Sequence, residues 1–303
     1  LPVEGKGTGD GYIKSKQRMK NYIALDIGGT KFMVASYNEK LHEINRVKQD
    51  TPEDFDEGMD LLHKMISDVS ETGEIGGIGA AIGGPLDHVK GIVSPLHQHQ
   101  WRNVPLKDIM EKKWGCPFYV DVDTNVAALG EYHLGKYAHE KFLYITLSTG
   151  MGGGYIINGN VYRGFNGNHP EVGHQTIHFR CKYPEKVKCE CGSPDCIEAL
   201  VSGNAIKRIY NKPAEELNAE EWSEVIYNLG QGLRNIATIM TPDIIVFGGG
   251  ISFGAGEPFI RKIEAEMKKQ LTLVKPPQLA LSKLGYDTAI AGAAYIAKNG
   301  LTM

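Results

Sequence analysis

At 303 residues, with 42% hydrophobic and 23% charged side chains, the chain has the composition of a globular protein built as one large domain or two ordinary lobes. A formal net charge of -3 gives no electrostatic basis for binding nucleic acid or an acidic membrane surface, so a small neutral or anionic ligand is the expected partner. No apolar run reaches the length of a membrane span, and the N-terminus lacks the charged, apolar, small-residue succession of a secretory leader, which together predict a cytoplasmic protein.

Residues 1–18, LPVEGKGTGDGYIKSKQR, are rich in glycine and lysine and show no apolar period, as expected of a disordered extension or an appended remnant. From Tyr22, the runs "YIALDIGG" and "KFMVASYNEK" flank a glycine turn and continue through residues 43–49, the pattern of a strand meander. Thr51-Pro52-Glu53-Asp54 reads as a helix start, with Thr51 as cap and Pro52 in the first helical position. Phe55, Met59, Leu62, Ile66 and Val69 then alternate at spacings of four and three, which predicts one buried helix face. A buried strand at 78–82, a loop through 83–105, a helix near 105–114 and the strand "PFYVDVD" complete a first lobe.

The segment "FLYITLSTGMGGGYIINGNVYRG" repeats the order strand, glycine turn, strand, so the chain reads as internally duplicated. A helix carrying Trp222, Val225, Ile226, Leu229, Leu233, Ile236 and Met240 stops at Thr241-Pro242, and the strand "DIIVFGGG" follows. Helix and strand recur in 257–284, and "TAIAGAAYIA" predicts a small-residue helix able to pack closely on a neighbour.

Three glycine turns stand at strand ends: "DIGGTK" (26–31), "STGMGGG" (148–154) and "FGGGIS" (247–252). Glycine there lets backbone N–H groups approach an anion, and Thr or Ser adds hydroxyl donors, so the set points to phosphate chemistry. Hairpin geometry is the competing explanation for each turn alone. Neither GxxxxGK[ST] nor GxGxxG occurs, which excludes the standard P-loop and dinucleotide fingerprints. The five cysteines are odd in number, and three cluster as CxC and x4C in "KCECGSPDCIEA", a spacing closer to a metal site in a reducing compartment than to a disulfide framework.

In this order, "LDIGGTK", "DVDTNVAALGE", "STGMGGG", "HPEVGH", "CECGSPDCIE", "LVSG" and "VFGGG" resemble sugar kinases of the ROK family (repressor, open reading frame, kinase), in the actin-like ATPase superfamily, over residues 22 to about 297. The cysteine motif with its upstream Gly-His is specific to that family, whereas the glycine turns are shared more widely. The resemblance implies an α/β, two-lobed, duplicated actin-like ATPase (ribonuclease H-like) fold with nucleotide and sugar in the interlobe cleft. The lobes would be 19–123 and 124–287, with a helix at about 288–298 packing back on the first. It further implies a homodimer that transfers the γ-phosphoryl group of ATP, with Mg2+, to the 6-hydroxyl of fructose or glucose. N-acetylmannosamine or another amino sugar is the alternative substrate. The same family includes sugar-responsive repressors, whose helix-turn-helix precedes the "DIGGT" region, where eighteen residues are too few for one. A catalytically silent sugar sensor is the remaining alternative.

Carried onto this chain, the resemblance makes Asp123 the general base; capping of the following helix is its structural alternative. Asp26 falls near the magnesium and phosphates, with Gly28, Gly29, Thr30 and Lys31 around the phosphate tail. Ser148, Thr149 and Gly150, with Gly248, Gly249 and Gly250, complete the nucleotide set. Gly84, Glu171, His174 and Glu198 fall at sugar-binding positions. Val122 replaces the asparagine that commonly precedes the base, and the "HPE" version of the histidine motif resembles fructokinases that also lack it. The cysteine segment instead resembles glucokinases and amino-sugar kinases. Cys189, Cys191, Cys196 and His174, in the segment 174–196, make a Cys3His set, the composition of a closed structural zinc that would clamp Glu171 and Glu198 in place. Cys181 is a spectator thiol or a substitute ligand, and Cys116 belongs to the core. The loop "SPLHQHQWRN" (94–103) stands where the family covers its sugar; His97, His99 and Trp101 either line that pocket or belong to a solvated loop.

Overall fold

The computed structural model describes residues 20–70, 73–96, 98–269 and 271–301. The predicted extension over 1–18 and His97 lie outside the described residues. In chain order the elements are β1 (Lys20–Ile27), β2 (Lys31–Tyr37), β3 (Glu43–Asp50), α1 (Phe55–Val69), β4 (Glu74–Ile82), β5 (Leu86–Asp87), β6 (Ile92–Val93), β7 (Val104–Pro105), α2 (Leu106–Trp114), β8 (Phe118–Val122) and α3 (Asp123–Leu134). They continue as β9 (Lys141–Leu147), β10 (Met151–Ile157), β11 (Asn160–Val161), α4 (Glu198–Val201), α5 (Gly203–Tyr210), α6 (Ala219–Ile239), β12 (Ile244–Gly248), α7 (Gly250–Lys268), β13 (Gln278–Leu281) and α8 (Thr288–Asn299).

The duplication read from the glycine turns is visible in the sheets. Of the two five-stranded sheets, one runs β3-β2-β1-β4-β8 and the other β11-β10-β9-β12-β13; β5, β6 and β7 form a small third sheet. In each five-stranded sheet, three antiparallel strands continue into two parallel ones. This is the two-lobed actin-like ATPase fold. Each five-stranded sheet has its own apolar core on one face. Met59, Leu62, Met65, Ile66 and Val69 of α1 pack with Phe32, Ile78 and Phe118 in the first, and α6 and α7 cover Leu143, Ile145 and Phe247 in the second. A third core joins the lobes: α3 and α8 lie between the inner faces of both sheets, with Ala24 and Ala81 on one side and Phe142, Tyr144 and Val246 on the other. The small residues of α8 make this possible, because a Cβ at Gly292 would collide with the Val126 carbonyl of α3.

Three local expectations change. α1 begins at Phe55, not at Pro52, because Asp54 is its cap and accepts the N–H groups of Asp56 (2.9 Å) and Glu57 (3.0 Å). Thr51 is engaged elsewhere: its hydroxyl donates to the Gly28 carbonyl (2.7 Å) and its N–H to that of Thr30 (3.1 Å). The helix expected from 257 begins at Gly250 and is interrupted at Gly256, whose φ of 67° lies outside helical space. Trp101 is 1% exposed and packs edge-on against Phe32 and Phe55 (ring centroids 5.9 and 5.2 Å), so it fills the first lobe's core and does not line a sugar pocket. Among the described residues no helix is long and apolar enough to cross a membrane.

Candidate active site

Strand ends and helix starts from both lobes converge on a cavity of about 650 Å³. Asp26, at the end of β1, and Asp123, at the start of α3, share its wall with Thr146, Ser148 and Thr149 of β9 and its turn, and with Gly249 and Gly250 at the start of α7. Burial, and then the charge of Asp123, push the Asp26 carboxyl up to about 6, against the opposing pull of Lys48. Two carboxylates on one wall make that part of the cavity a place for a cation. Asp123 Oδ1 accepts the N–H of Thr124 at 2.7 Å, so the residue serves its own helix start while remaining exposed to the cleft.

The glycine, serine and threonine part of the same lining suits anions. The short helical run 250–255, before the interruption at Gly256, opens on the cavity with the N–H groups of its first turn. Gly249 has φ +88°, and a Cβ there would strike the Leu147 carbonyl, so only glycine brings the chain from β12 into α7 along this path. The Ser148 turn is braced from behind: Ser148 Oγ accepts the Thr149 N–H (2.6 Å), and the Ser148 and Thr149 carbonyls accept the N–H groups of Gly203 (2.7 Å) and Asn204 (3.1 Å). Apart from Gly203, the last residue of "LVSG", this brace brings in residues that the sequence did not single out. Gly203, Asn204 and Lys207 of α5, Pro213 to Glu215 after it, and the aromatic pair Phe253 and Tyr286 (centroids 4.8 Å apart) also line the cavity. α5 shows in the sequence only as an amphipathic helix after "LVSG". A larger space of about 980 Å³ between α6 and α7 shares Ala214, Glu215, Gly250 and Ile251 with this cavity but contains neither acid.

The other predicted phosphate residues stand behind or beside this wall. Gly28, Gly29, Thr30 and Lys31 form the β1–β2 hairpin tip, closed by Gly28 N–H to the Lys31 carbonyl (3.0 Å), and they do not line the cavity. The Lys31 ammonium is paired with the Asp50 carboxylate on β3. Gly150 packs against Glu198, and Gly248 against the Tyr144 hydroxyl.

Two of the predicted sugar-binding segments, at Glu198 and at 172–174, flank the same turn. Glu198 Oε2 accepts the Met151 N–H at 2.9 Å. The turn Val172–His174 lies so close to Met151 that a Cβ at Gly173 would strike its carbonyl oxygen. Glu171, with its side chain 60% exposed, has His169 Nε2 3.4 Å from its Oε1. Gly84 packs beside Val122, whose Cγ2 would be 3.5 Å from a Cβ at that glycine; like Glu171, His174 and Glu198, neither residue lines the cavity.

His174, Cys189, Cys191 and Cys196 place one donor atom each within 4.8 Å of one another. His174 Nδ1 is 3.5 Å from Cys189 Sγ, and Cys191 Sγ is 3.3 Å from Cys196 Sγ. Zn–S bonds of about 2.3 Å in a tetrahedron set S···S near ~3.8 Å, so the four donors fit a zinc ion with little adjustment. A backbone N–H from Ser193 is the main cause that draws the Cys191 thiol down to about 7, which favours the thiolate a metal requires, whereas burial pushes Cys196 up to about 12. Cys181 is outside the group and packs against the second lobe's core, which removes it as a substitute ligand. Cys116 packs against the first lobe's core, as expected.

Residues 22–300 match the ROK family. A glucokinase of Halalkalibacterium halodurans is 28% identical over 91% of this chain and 94% of its own length. A xylose repressor of Caldicellulosiruptor bescii is 29% identical over 67% of this chain, which spans 57% of the repressor. The crystal structure of a ROK family glucokinase from Streptomyces griseus, in complex with glucose and AMPPNP, superposes with a TM-score of 0.76 at 28% identity, covering 93% of this chain and all (100%) of that one.

Proposed function

Because the chain belongs to the ROK family, we propose that it is an ATP-dependent kinase that transfers the γ-phosphoryl group to the 6-hydroxyl of a hexose, fructose or glucose. The observation that carries this reading is that one cavity is lined both by Asp26 and Asp123 and by the Ser148–Thr149 turn and the start of α7. Asp123 is the base: it takes the proton of the sugar hydroxyl as that oxygen bonds to phosphorus, and ADP leaves with the electrons of the broken P–O bond. Asp26 holds the Mg2+ that accompanies the nucleotide. Ser148, Thr149, Gly249 and Gly250 receive phosphate oxygens, with Gly150 and Gly248 shaping the wall behind them. Gly28, Gly29, Thr30 and Lys31 support Asp26 from the hairpin tip.

Glu171, His174 and Glu198 take sugar hydroxyls, while Gly84 leaves room for the ring beside Val122. Zinc, when bound by His174, Cys189, Cys191 and Cys196, supplies a closed cross-link with no open position for water, and so orders these groups without entering the reaction. His174 would bind it through Nδ1, which leaves Nε2 for the sugar. The apolar Val122 supports fructose over glucose, and the cysteine segment supports glucose or an amino sugar such as N-acetylmannosamine. The alternative of a sugar-responsive regulator is favoured by the repressor relative, and the pair of acids in the cleft speaks for catalysis.

Asp123→Asn tests the assignment. Turnover is expected to fall by about 10²- to 10⁴-fold, the range for losing a general base, with sugar affinity retained. A variant that kept full turnover would remove Asp123 from the role.

A further inference from the structure

Asp121 lies in β8 of the first sheet, two residues before Asp123, and Arg163 follows β11 of the second sheet. Their side chains form an ion pair between Oδ2 and Nη2, with the carboxylate 1% and the guanidinium side chain 18% exposed. The second carboxylate oxygen, Oδ1, accepts the Val122 N–H (2.7 Å) and the Asn125 side-chain amide (3.2 Å). Asp121 therefore holds three things at once: the strand end before the base, the first turn of the helix that the base begins, and a residue of the other lobe.

Arg163 opens an arm that ends at Glu171 and His174. The arm touches the first lobe a second time, where Gly167, with φ +78°, packs so closely on His88 that a Cβ would come within 2.8 Å of its Cε1. A buried ion pair adds little stability over well-packed apolar residues of the same size, because desolvation offsets the attraction. It does specify geometry, since a planar guanidinium meets a carboxylate in few orientations.

We propose that the Asp121–Arg163 pair is a positioning device that sets Asp123 in register with the arm carrying Glu171 and His174. The proposal rests on the kinase reading of the cleft. Asp121 and Arg163 are positioning residues; neither needs to touch the sugar or the phosphates.

The test is the double variant Asp121→Asn/Arg163→Met, which removes both charges without stranding one, beside Arg163→Lys, which keeps the charge and loses the planar guanidinium. Because small displacements of reacting groups are costly, the double variant is expected to lose about tenfold or more in kcat/KM for the sugar, while KM for MgATP changes by less than about twofold. Its melting temperature should stay near that of the wild type, and Arg163→Lys should recover part of the lost kcat/KM. Unchanged sugar kinetics in the double variant, or equal losses towards sugar and nucleotide, would overturn the proposal. If the double variant does not fold, Arg163→Lys alone must show the sugar-specific loss, or the proposal fails. If the wild-type chain phosphorylates no sugar, the kinase reading falls separately; sugar dissociation constants then decide, and identical values for wild type and Arg163→Lys would overturn the device.

Discussion

The two lobes share a strand order and differ in what they hang on it. In the first, β3 reaches α1 through residues 51–54; in the second, β11 reaches α6 only after residues 162–218, which carry the zinc-type donors, Glu171 and Glu198. The equivalent hairpins differ at equivalent positions. Asp26 pairs with Met33 one step before the last pair of its hairpin, and Thr146 pairs with Gly152 at the same step of the other. Both line the cavity, one with a carboxylate suited to a cation and the other with a hydroxyl suited to phosphate oxygens. Duplication therefore supplies a symmetric frame, and the chemistry comes from breaking that symmetry by single residues and by one long insertion.

Among the changes that should act on one lobe alone, loss of the metal proposed at His174, Cys189, Cys191 and Cys196 should give the largest effect. Chelation, or Cys196→Ser, is expected to raise KM for the sugar by about 10- to 100-fold, as loss of orienting groups does at metal sites. Amide exchange should quicken across 163–202 and stay unchanged in β1 to β4. Equal loosening of both lobes would show that the insertion is not a separately ordered unit.

The contrast between Asp26 and Thr146 can be read by pH. The folded Asp26 carboxyl is pushed up to about 6, above its ordinary value of 3.8, so it gains a proton as pH falls through about 6 and would then lack the charge proposed to hold the cation. For this group the folded state binds more protons than the unfolded state between those values, so metal-free stability falls as pH rises through the window. kcat/KM for MgATP should decline about tenfold for each pH unit below about 6. In Asp26→Asn the remaining activity should lose this limb, while Thr146→Val should keep it.

The smallest effect on activity should come from the shared frame. Gly292→Ala pushes a methyl group into the Val126 carbonyl and is expected to cost about 1–3 kcal/mol of stability, measured by denaturant unfolding, with little preference between lobes.

The features that were legible in the sequence are those whose physics is local. The glycine turns, the meanders, the close-packing helix α8 and the cysteine spacing all express short-range geometry, and the structure brings three cysteines and a distant histidine to one point. Thr51 was misread because a threonine before a proline fits a helix cap equally well, and only the folded hairpin shows its other partner. Trp101 was misread because a polar loop hides the fact that one of its residues turns inward to Phe32 and Phe55. Lys207, Phe253 and Tyr286 carry no motif, and Asp121 and Arg163 meet from different sheets. Such pairings depend on how the lobes approach one another, which no local pattern encodes.

The most direct measurement is ADP release from ATP and Mg2+ by zinc-replete protein across fructose, glucose, mannose, N-acetylmannosamine and N-acetylglucosamine. Rapid turnover with one hexose, which appears as its 6-phosphate, is the expected result. Sugar binding with no ADP release from any of the five would contradict the kinase and leave a silent sensor.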